Sequence, residues 1–376
     1  MIKTMLLYSS VFITLIVLCG CNNEYNSTAK LMNFKDSTLV LSQKIEIIRL
    51  ETKPDCQLGY IDKTYIDTAN DRIFVLSDFN FFLFNLKGEY ITKLSIGKGP
   101  QEVIRIVSFV ADTEKEIFYA LDMANSLAVF NYDGIFLKRI SLFGFYGIDI
   151  FLLNNEEMLI LNNWVGRNEH YFVGNFDYNQ EKITGKQVHS KESPYPLNTL
   201  LTFKNFYKRD DKVYFYSANI FGLFEYENTN FKRLISFDLD HKGVPRKFYK
   251  QFENQNRSAF REESKSRNYA PFLLYAFPFN DYFLVGIDDN NYSCYAINRN
   301  NNAKIYHTGS IPSYFNLPDA KSLRVPKSIQ NDLISFSCNP IDFFEPDEEQ
   351  QSKTIRLGIQ NIEVRYSDNP IIIIIY

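Results

Sequence analysis

A short pattern recurs six times along the 376-residue chain. Each copy has an acidic or amide residue at a turn, followed by a run of apolar and aromatic residues typical of a β-strand. The runs are separated by 44, 41, 55, 70 and 50 residues. Their marker residues are Ile73, Ile117, Met158, Val213, Phe283 and Leu333. This spacing indicates a repeat architecture in which each copy is one supersecondary unit.

The segments after the first two markers have the signature of β-hairpins. Gly88 and Gly134 each follow a polar residue between two apolar-rich stretches. Glycine favours such turns because it adopts positive φ without steric cost. A third copy, around Asn228–Asn230, keeps the same order but has no glycine at its turn. Each unit is therefore predicted to contain several antiparallel strands.

Four-stranded units with this period predict an all-β fold, a six-bladed β-propeller over residues 41–376. Blades stacked around an axis bury both faces of each sheet and leave only short edges. The run of five isoleucines at 371–375 requires such burial, because an exposed run would aggregate. We expect the N-terminal strand 44–51 and the C-terminal strand 371–376 to share the last blade and close the ring. Seven blades is the alternative.

The longest interval, between the fourth and fifth markers, predicts a helical insertion between blades four and five. One helix is expected over Pro245–Asn268, with Phe248, Phe252 and Phe260 on one face. Such a helix is either a structural strap or a lid or docking arm at one end of the channel. If the arm binds a ligand or partner, the expected contact residues are Tyr249, Arg257, Arg261 and Tyr269.

The N-terminus predicts export and lipid anchoring. Lys3 precedes a largely apolar run, Met5–Leu18, which is short for a membrane span and suits a signal peptide. Leu18-Cys19-Gly20-Cys21 resembles the bacterial lipobox, which implies a signal peptide at 1–20, lipidation of Cys21 and a linker at 21–40. The alternatives are an uncleaved anchor or an ordinary signal peptide.

Beyond the N-terminus, the chain resembles the six-bladed β-propeller lipoproteins of Bacteroidetes, relatives of the NHL-type propellers, over roughly residues 40–376. The resemblance is carried by Ile73–Leu76, Phe84–Gly88, Gly97–Glu102 and the Asp-Asn-Pro-Ile sequence at 368–371. It implies the propeller fold and a cell-envelope location, for which we favour the outer membrane, on either its periplasmic or its surface face. It implies no reaction.

Composition narrows the classes of partner. The formal net charge of −3 provides no basic excess, so a nucleic acid is not expected as a partner. After Cys21, only Cys56, Cys294 and Cys338 remain. They predict either one disulfide, for which Cys56–Cys338 is the favoured pair, or three buried thiols.

No motif in the sequence predicts a catalytic residue, a metal site or a cofactor. The four histidines, His170, His189, His241 and His307, lack metal-ligand spacing. Gly97–Pro100 lacks the Ser or Thr of a phosphate-binding loop and is interpreted as a turn between blades. Asp288–Asn291 is interpreted as a polar hairpin turn rather than a calcium loop.

Three functions are compatible with these features. The favoured one is a membrane-anchored cell-envelope lipoprotein whose propeller binds or scaffolds a glycan, a peptide or an envelope protein. The alternative is a propeller hydrolase or lyase with carboxylates in the central funnel, which rests on analogy between folds. The third is a purely structural envelope protein.

Overall fold

The computed structural model of the protein describes residues 27–32, 34–36, 43–143, 145–154, 156–162, 170–192, 205–252, 257–331, 333–345 and 352–376. They form six sheets arranged as the blades of a β-propeller, and the four main strands of each blade are antiparallel. The predicted all-β class and six blades are confirmed, and the seven-bladed alternative is wrong. No helix in the described ranges is long and apolar enough to cross a membrane.

Blades one to three are meanders of consecutive strands, numbered from the axis outwards. Three short strands precede them: β1 (Ser27–Lys30), β2 (Lys35–Asp36) and β3 (Ile45–Arg49). Blade one contains β4 (Ile61–Asp67), β5 (Arg72–Ser77), β6 (Asn80–Phe84) and β7 (Tyr90–Lys93). Blade two contains β8 (Ile106–Asp112), β9 (Ile117–Asp122), β10 (Ser126–Asn131) and β11 (Phe136–Ser141). Blade three contains β12 (Gly147–Leu152), β13 (Glu157–Asn162), β14 (Tyr171–Asp177) and β15 (Lys182–His189).

Blades four to six incorporate strands from distant parts of the chain. Blade four contains β16 (Phe206–Arg209), β17 (Lys212–Ser217), β18 (Ile220–Glu227) and β19 (Asn230–Asp238). Blade five contains β20 (Leu273–Phe279), β21 (Tyr282–Ile287), β22 (Cys294–Asn298) and β23 (Ile305–His307). Blade six contains β24 (Ser328–Gln330), β25 (Leu333–Cys338), β28 (Ile371–Ile375) and the early strand β3. A separate hairpin, β26 (Ser352–Leu357) and β27 (Gln360–Arg365), lies between β25 and β28 in sequence.

Strand register defines two opposite edges of the propeller. The start of β4 pairs with the end of β5 (Ile61 with Ser77), and blade two repeats this arrangement (Ile106 with Asp122). The connectors between blades and the turns between second and third strands therefore share one edge, which we call the loop face. Its described parts include 94–105, 122–126, 142–143 and 145–146. The opposite edge, with the turns at 67–72, 85–89, 131–135 and 227–230, is the turn face.

Blade six closes the ring. β3 pairs antiparallel with β28, from Arg49 opposite Ile371 to Ile45 opposite Ile375. On its other side β28 pairs with β25, so both of its edges are hydrogen-bonded. All five isoleucines of β28 are at most 2% exposed. This burial accounts for an isoleucine run that would be insoluble on a surface.

Two short strands that precede β3 lie on the outer rim of the propeller. β1 adds to blade four as a fifth strand, parallel to β19. β2 adds to blade five in the same way, parallel to β23. These rim strands lie within the segment predicted as a linker.

Two helices lie between blades four and five, α1 (Arg246–Lys250) and α2 (Arg257–Ser266), in place of one helix over Pro245–Asn268. Pro245 is the N-cap of α1. Phe248, Phe252 and Phe260 are buried and pack in one aromatic cluster. A third helix, α3 (Ile311–Tyr314), lies between blades five and six. The 3₁₀ segments are Pro54–Cys56, Ser190–Glu192, Asp240–Lys242, Lys321–Leu323 and Pro340–Phe343.

Aromatic side chains fill the spaces between neighbouring blades. Between blades one and two, Phe81 stacks on Phe118 at 4.7 Å between ring centroids and contacts Phe109 edge-on. This packing accounts for the 16% aromatic content, since large rings fill the widening gap between sheets.

The described cysteines are three buried free thiols, which is one of the two predicted outcomes, and the Cys56–Cys338 disulfide does not form in this structure. Burial raises the pKa of Cys294 to about 11 and that of Cys338 to about 12.

Candidate functional site

One position near the loop face recurs in every blade, either within the innermost strand or directly before it. In blade one this position is Lys63, which lies opposite Leu76. In blades two and three it is Ser108 and Asp149, each opposite the corresponding leucine of the second strand. The full set, which we call the axial ring, is Lys63, Ser108, Asp149, Asn205, Tyr275 and Lys327.

Asp149 connects four blades through this ring. Its Oδ1 accepts hydrogen bonds from Lys63 Nζ at 2.8 Å and from Ser108 Oγ at 2.6 Å. Its Oδ2 accepts the backbone N–H of Asn205 at 2.7 Å. The carboxylate is 1% exposed, so it is a buried, satisfied anion that ties blades one to four together. It is the one carboxylate among the six ring positions, and the ring contains no carboxylate pair for acid–base hydrolysis.

Lys327, in blade six, lies in an environment that is less favourable for a charged side chain than that of Lys63. Desolvation lowers its pKa to about 8, although the carboxylates of Asp62 and Asp342 oppose the shift. Its backbone carbonyl accepts the N–H of Thr64 at 3.1 Å, which joins blade six to blade one. The ring therefore contains one lysine with a close counter-ion and one without full compensation for burial.

The axial ring was not predicted from the sequence, although a signal was present. Lys63, Ser108 and Asp149 are each the third residue of the inner strand in three successive blades. Aligning those strands by their markers brings the three polar residues to the same level. Polar residues at one level around an axis are expected to meet.

A cleft of about 600 Å³ opens on the loop face beside blade two. Connector 94–105 forms one wall, and the turn 122–126 and the end of β11 form the other. Its lining residues are Gly97, Lys98, Gly99, Glu102, Ile104, Asp122, Ala124, Ser126, Arg139 and Ser141.

Internal hydrogen bonds hold the walls of this cleft. Arg139 donates to Asp122 at 3.0 Å and to Ser126 at 2.7 Å. The Gly99 N–H donates to Glu102 Oε2 at 2.7 Å, so the Gly97–Pro100 stretch closes on its own glutamate. The interpretation of this stretch as a turn between blades agrees with its position after β7 and before β8.

Exposed apolar side chains surround the cleft. Among the described residues, the exposed large hydrophobic side chains are Tyr60, Ile96, Ile104, Met123, Ile135, Leu137, Phe143, Tyr146 and Ile359. Six of these nine lie on the loop face, and Phe143 is 88% exposed. We use the name apolar patch for Ile96, Ile104, Met123, Phe143 and Tyr146.

The loops that carry the apolar patch are joined to one another. The N–H of Met123 donates to Arg105 O at 2.8 Å, which links the turn of blade two to connector 94–105. The N–H of Leu142 donates to Asn125 O at 3.0 Å, which links the same turn to the connector before blade three. The patch is therefore carried by three adjoining loops on a rigid scaffold, the arrangement expected of a recognition surface.

The predicted contact residues of the helical segment do not form an open site. Tyr249 is 3% exposed and packs edge-on against Phe260 at 5.0 Å, so it offers almost no surface to a ligand. Tyr269 is partly buried against Phe248. Arg261 pairs with Asp288 through two hydrogen bonds and donates to Tyr292 at 3.2 Å. The side chain of Arg257 lies outside the described residues.

The acidic turn at 288–291 fastens this helical segment to blade five. Lys265 lies 2.8 Å from Asp288, and Lys242 lies 2.8 Å from Asp289. Burial alone would raise the pKa of Asp289, but hydrogen bonds from Lys242 and Ser293 outweigh it and lower that pKa. These contacts agree with a polar hairpin turn, and the described residues contain no group of three metal-ligating side chains.

The arrangement defines a class of protein: a six-bladed β-propeller with a cleft and an apolar patch on one face. The chain belongs to the DUF4934 family, a domain of unknown function, and the match spans residues 22–376. No curated protein matches the chain significantly.

Two solved structures are similar. A "putative exported protein" of Bacteroides fragilis NCTC 9343 is 17% identical, with a TM-score of 0.69 over 91% of this chain and 98% of that one. The extracellular domain of a "putative one component system" of Bacteroides thetaiotaomicron is 13% identical, with a TM-score of 0.41 over 71% of this chain and 30% of that one. The first similarity supports the propeller fold. The predicted lipid anchor and NHL-type kinship stay predictions.

Proposed function

We propose that this protein is an exported binding module of the cell envelope, anchored through lipidated Cys21, whose loop face docks an envelope protein or peptide. Cys21 lies outside the described residues, and its lipidation rests on the lipobox-like sequence. Export is supported by that sequence and by the name of the structurally similar Bacteroides fragilis protein. The outer membrane is the proposed location.

The observation that carries the docking proposal is the apolar patch beside the cleft. Soluble surfaces seldom hold several large apolar side chains on adjoining loops unless a partner covers them. Ile96, Ile104 and Met123 contribute aliphatic or thioether side chains, and Phe143 and Tyr146 contribute aromatic rings. This mixture of large apolar side chains is typical of the apolar centre of a protein–protein interface. Lys98 and Glu102 in the cleft add charges of both signs.

A site-specific crosslinking experiment tests this proposal. A photo-crosslinking phenylalanine analogue would replace Phe143, which projects from the patch, in the lipid-anchored protein in its native envelope. The same analogue at Ile135, 59% exposed on the turn face of blade two, is the control. We expect one recurrent crosslinked partner from position 143 and none from position 135. Equal products from the two positions would contradict docking at the loop face.

Matched substitutions then measure the contribution of the patch. Ile104→Glu with Met123→Glu should weaken the crosslinked or co-purified complex by about tenfold or more, because charges would enter its apolar centre. Ile135→Glu with Leu137→Glu changes the same number of exposed apolar residues elsewhere on blade two and should leave recovery unchanged. Unchanged recovery of the first pair would reject the patch as the docking site.

No specific observation favours the hydrolase or lyase alternative. It requires paired carboxylates in the funnel. At the axial ring, Asp149 is hydrogen-bonded to Lys63, Ser108 and Asn205. The geometry therefore assigns no acid–base pair at this level of the funnel.

A further inference from the structure

A second cleft, of about 320 Å³, lies between blades four and five, and we call it the turn-face cleft. Lys212 of its lining begins β17, and Asp281 lies in the turn between β20 and β21, so the cleft opens on the turn face. Its polar lining residues are Lys212, Tyr214 and Glu225 of blade four and Asp281, Arg299 and Asn300 of blade five. The apolar patch is on the opposite edge of the propeller, so a partner docked there would leave this cleft open.

The side chain of Tyr214 is a buried part of the turn-face cleft. It is 0% exposed, and its hydroxyl has no hydrogen-bond partner among the described residues. Of the buried side-chain atoms that lack a partner in the described ranges, this hydroxyl is the one that belongs to the lining of the cleft. The ring stacks on Tyr207 at 5.6 Å between centroids, which holds it in place. A buried hydroxyl without a partner is unfavourable, and a ligand that hydrogen-bonds to it would recover that free energy.

The Tyr214 hydroxyl can donate as well as accept a hydrogen bond at neutral pH. Burial, together with the nearby carboxylate of Glu225, raises the pKa of Tyr214 to about 12. Glu225 lies opposite Tyr214 on β18 and is 5% exposed. Its Oε1 accepts a hydrogen bond from Lys212 at 2.6 Å, and a carboxylate can accept several hydrogen bonds. The buried part of the cleft therefore offers a ligand one hydroxyl and one carboxylate.

The charges of the turn-face cleft compensate one another. Its lining contains two cations, Lys212 and Arg299, and two carboxylates, Glu225 and Asp281. Lys212 is paired with Glu225, and Arg299 lies 3.6 Å from Asp210. Asp281 is exposed, and an ion pair formed with an exposed carboxylate contributes little. A ligand with a net charge would therefore gain little here.

We propose that the turn-face cleft binds a neutral, hydroxyl-rich ligand, a single sugar residue. Each sugar hydroxyl both donates and accepts, which matches a site that offers a phenol, two carboxylates and the Asn300 amide without a net charge. The volume of the cleft is at the small end of the range of about 300–1,000 Å³ for ligand sites, which suits one sugar ring better than a chain of them. The site is separate from the loop face and does not depend on the docking proposal.

Saturation-transfer NMR on the full-length protein, in a deuterated detergent without a sugar headgroup, tests the proposal. The probes are the methyl glycosides of glucose, galactose, mannose, fucose, xylose and N-acetylglucosamine. We expect at least one of them to bind the wild type. Tyr214→Phe should weaken that binding about tenfold, because the variant lacks the hydroxyl that the ligand would engage. Binding of none of the six probes to the wild type would overturn the proposal, and so would equal binding to Tyr214→Phe.

A second tyrosine provides the matched control. Tyr216 is also buried, but its hydroxyl donates to Leu274 O at 3.0 Å and does not line the cleft. Tyr216→Phe should lower the thermal midpoint and leave sugar binding unchanged, whereas Tyr214→Phe should keep or raise the midpoint, because no hydrogen bond within the protein is lost. Equal losses of midpoint would show that the Tyr214 hydroxyl already has a partner, and this would remove the basis of the proposal.

Competition with charged probes distinguishes the class of ligand. Glycine, as a zwitterion, and inorganic phosphate, as an anion, would be added to the sugar complex at the concentration of the sugar. Neither should displace the sugar. Displacement by either probe that is lost in Tyr214→Phe would assign the cleft to a charged ligand and overturn the sugar assignment.

Discussion

Two lysines at equivalent positions of the axial ring differ because of their neighbours. Lys63 lies 2.8 Å from the buried carboxylate of Asp149, which compensates its charge. Lys327 is partly buried, and desolvation lowers its pKa to about 8. The native state therefore holds the proton of Lys327 less tightly than the unfolded chain does. At neutral pH, where Lys327 is charged, its burial destabilises the native state.

The sign of the pH effect follows from this shift. Between pH 8 and the ordinary lysine value of 10.5, the unfolded chain binds more protons at Lys327 than the native state, so its contribution to stability rises with pH. Lys327→Met should therefore raise the free energy of unfolding at pH 7 by about 2 kcal/mol, and the gain should shrink as the pH approaches 10.5. Urea unfolding at several pH values measures this gain in the free energy of unfolding.

Lys87→Met, at an exposed lysine of blade one, is the control and should show no gain that depends on pH. A gain for Lys327→Met that does not change with pH would contradict the assignment of the effect to the buried charge.

At the scale of elements, the helical segment is a strap on the propeller. Its aromatic face lies in the core beside blades three and four, where Phe260 is fully buried. Its basic residues Arg261 and Lys265 converge on Asp288 of blade five. The segment is thus bound by apolar contacts on one side and by ion pairs on the other, which leaves little of it free to act as a lid.

Removing the shared carboxylate tests the strap. Asp288→Asn should lower the free energy of unfolding by about 2–3 kcal/mol, since two cations lose a buried counter-ion. Glu263→Gln removes the partner of Arg267 on the exposed side of α2, where both side chains are about half exposed, and should cost less than about 0.5 kcal/mol. Denaturant unfolding compares the two variants. Equal losses would mean that the ion pairs at Asp288 do not fasten the segment.

The elements that sequence could predict are those with a local signal. The marker residues predict the strands, and the turn glycines Gly88 and Gly134, with φ of 83° and 79°, predict the hairpins. Each of these signals lies within about ten residues of the element that it predicts. The pairing of Arg261 with Asp288 joins two segments 27 residues apart, and no local pattern encodes it. Helical periodicity placed Tyr249 beside the apolar face but could not tell how deeply that face is buried.

The axial ring and the rim strands were unpredictable for a related reason. Asp149 meets Lys63 and Asn205 because three blades converge on one axis, which becomes apparent only after the blades are aligned. β1 and β2 are too short for their own sequences to show a strand period. They also pair in parallel with strands that lie about 200 and 270 residues later in the chain. Local rules thus predicted the blades, and the contacts between blades required the structure.

At the scale of the whole molecule, the pairing of β3 with β28 closes the ring. β3 is the outermost strand of blade six and pairs with β28 along five residues. It also leads directly into the connector to blade one, so it joins the first and last blades covalently and by hydrogen bonds. The propeller is held closed by this pairing and by contacts between the innermost strands of neighbouring blades.

A proline in β3 tests the closure. Ile48→Pro, opposite Ile372, removes a backbone donor to β28 and a buried apolar side chain, and should lower the free energy of unfolding by about 2–4 kcal/mol. Amide hydrogen exchange in β28 should accelerate. Ile48→Val keeps the strand and should cost about 1 kcal/mol. Proline and valine variants with the same exchange rates in β28 would show that β3 is dispensable for closure.

The closing pair also sets an order of events during synthesis. β3 leaves the ribosome more than 300 residues before the isoleucines of β28 that it pairs with. Until Ile371–Ile375 emerge, blade six lacks its third strand, and the ring stays open at that seam. The isoleucine run then emerges as an aggregation-prone segment with a prepared slot between β3 and β25. A chain that stalls before this point could not complete its fold, and its unpaired strands β3 and β25 would stay open to proteases.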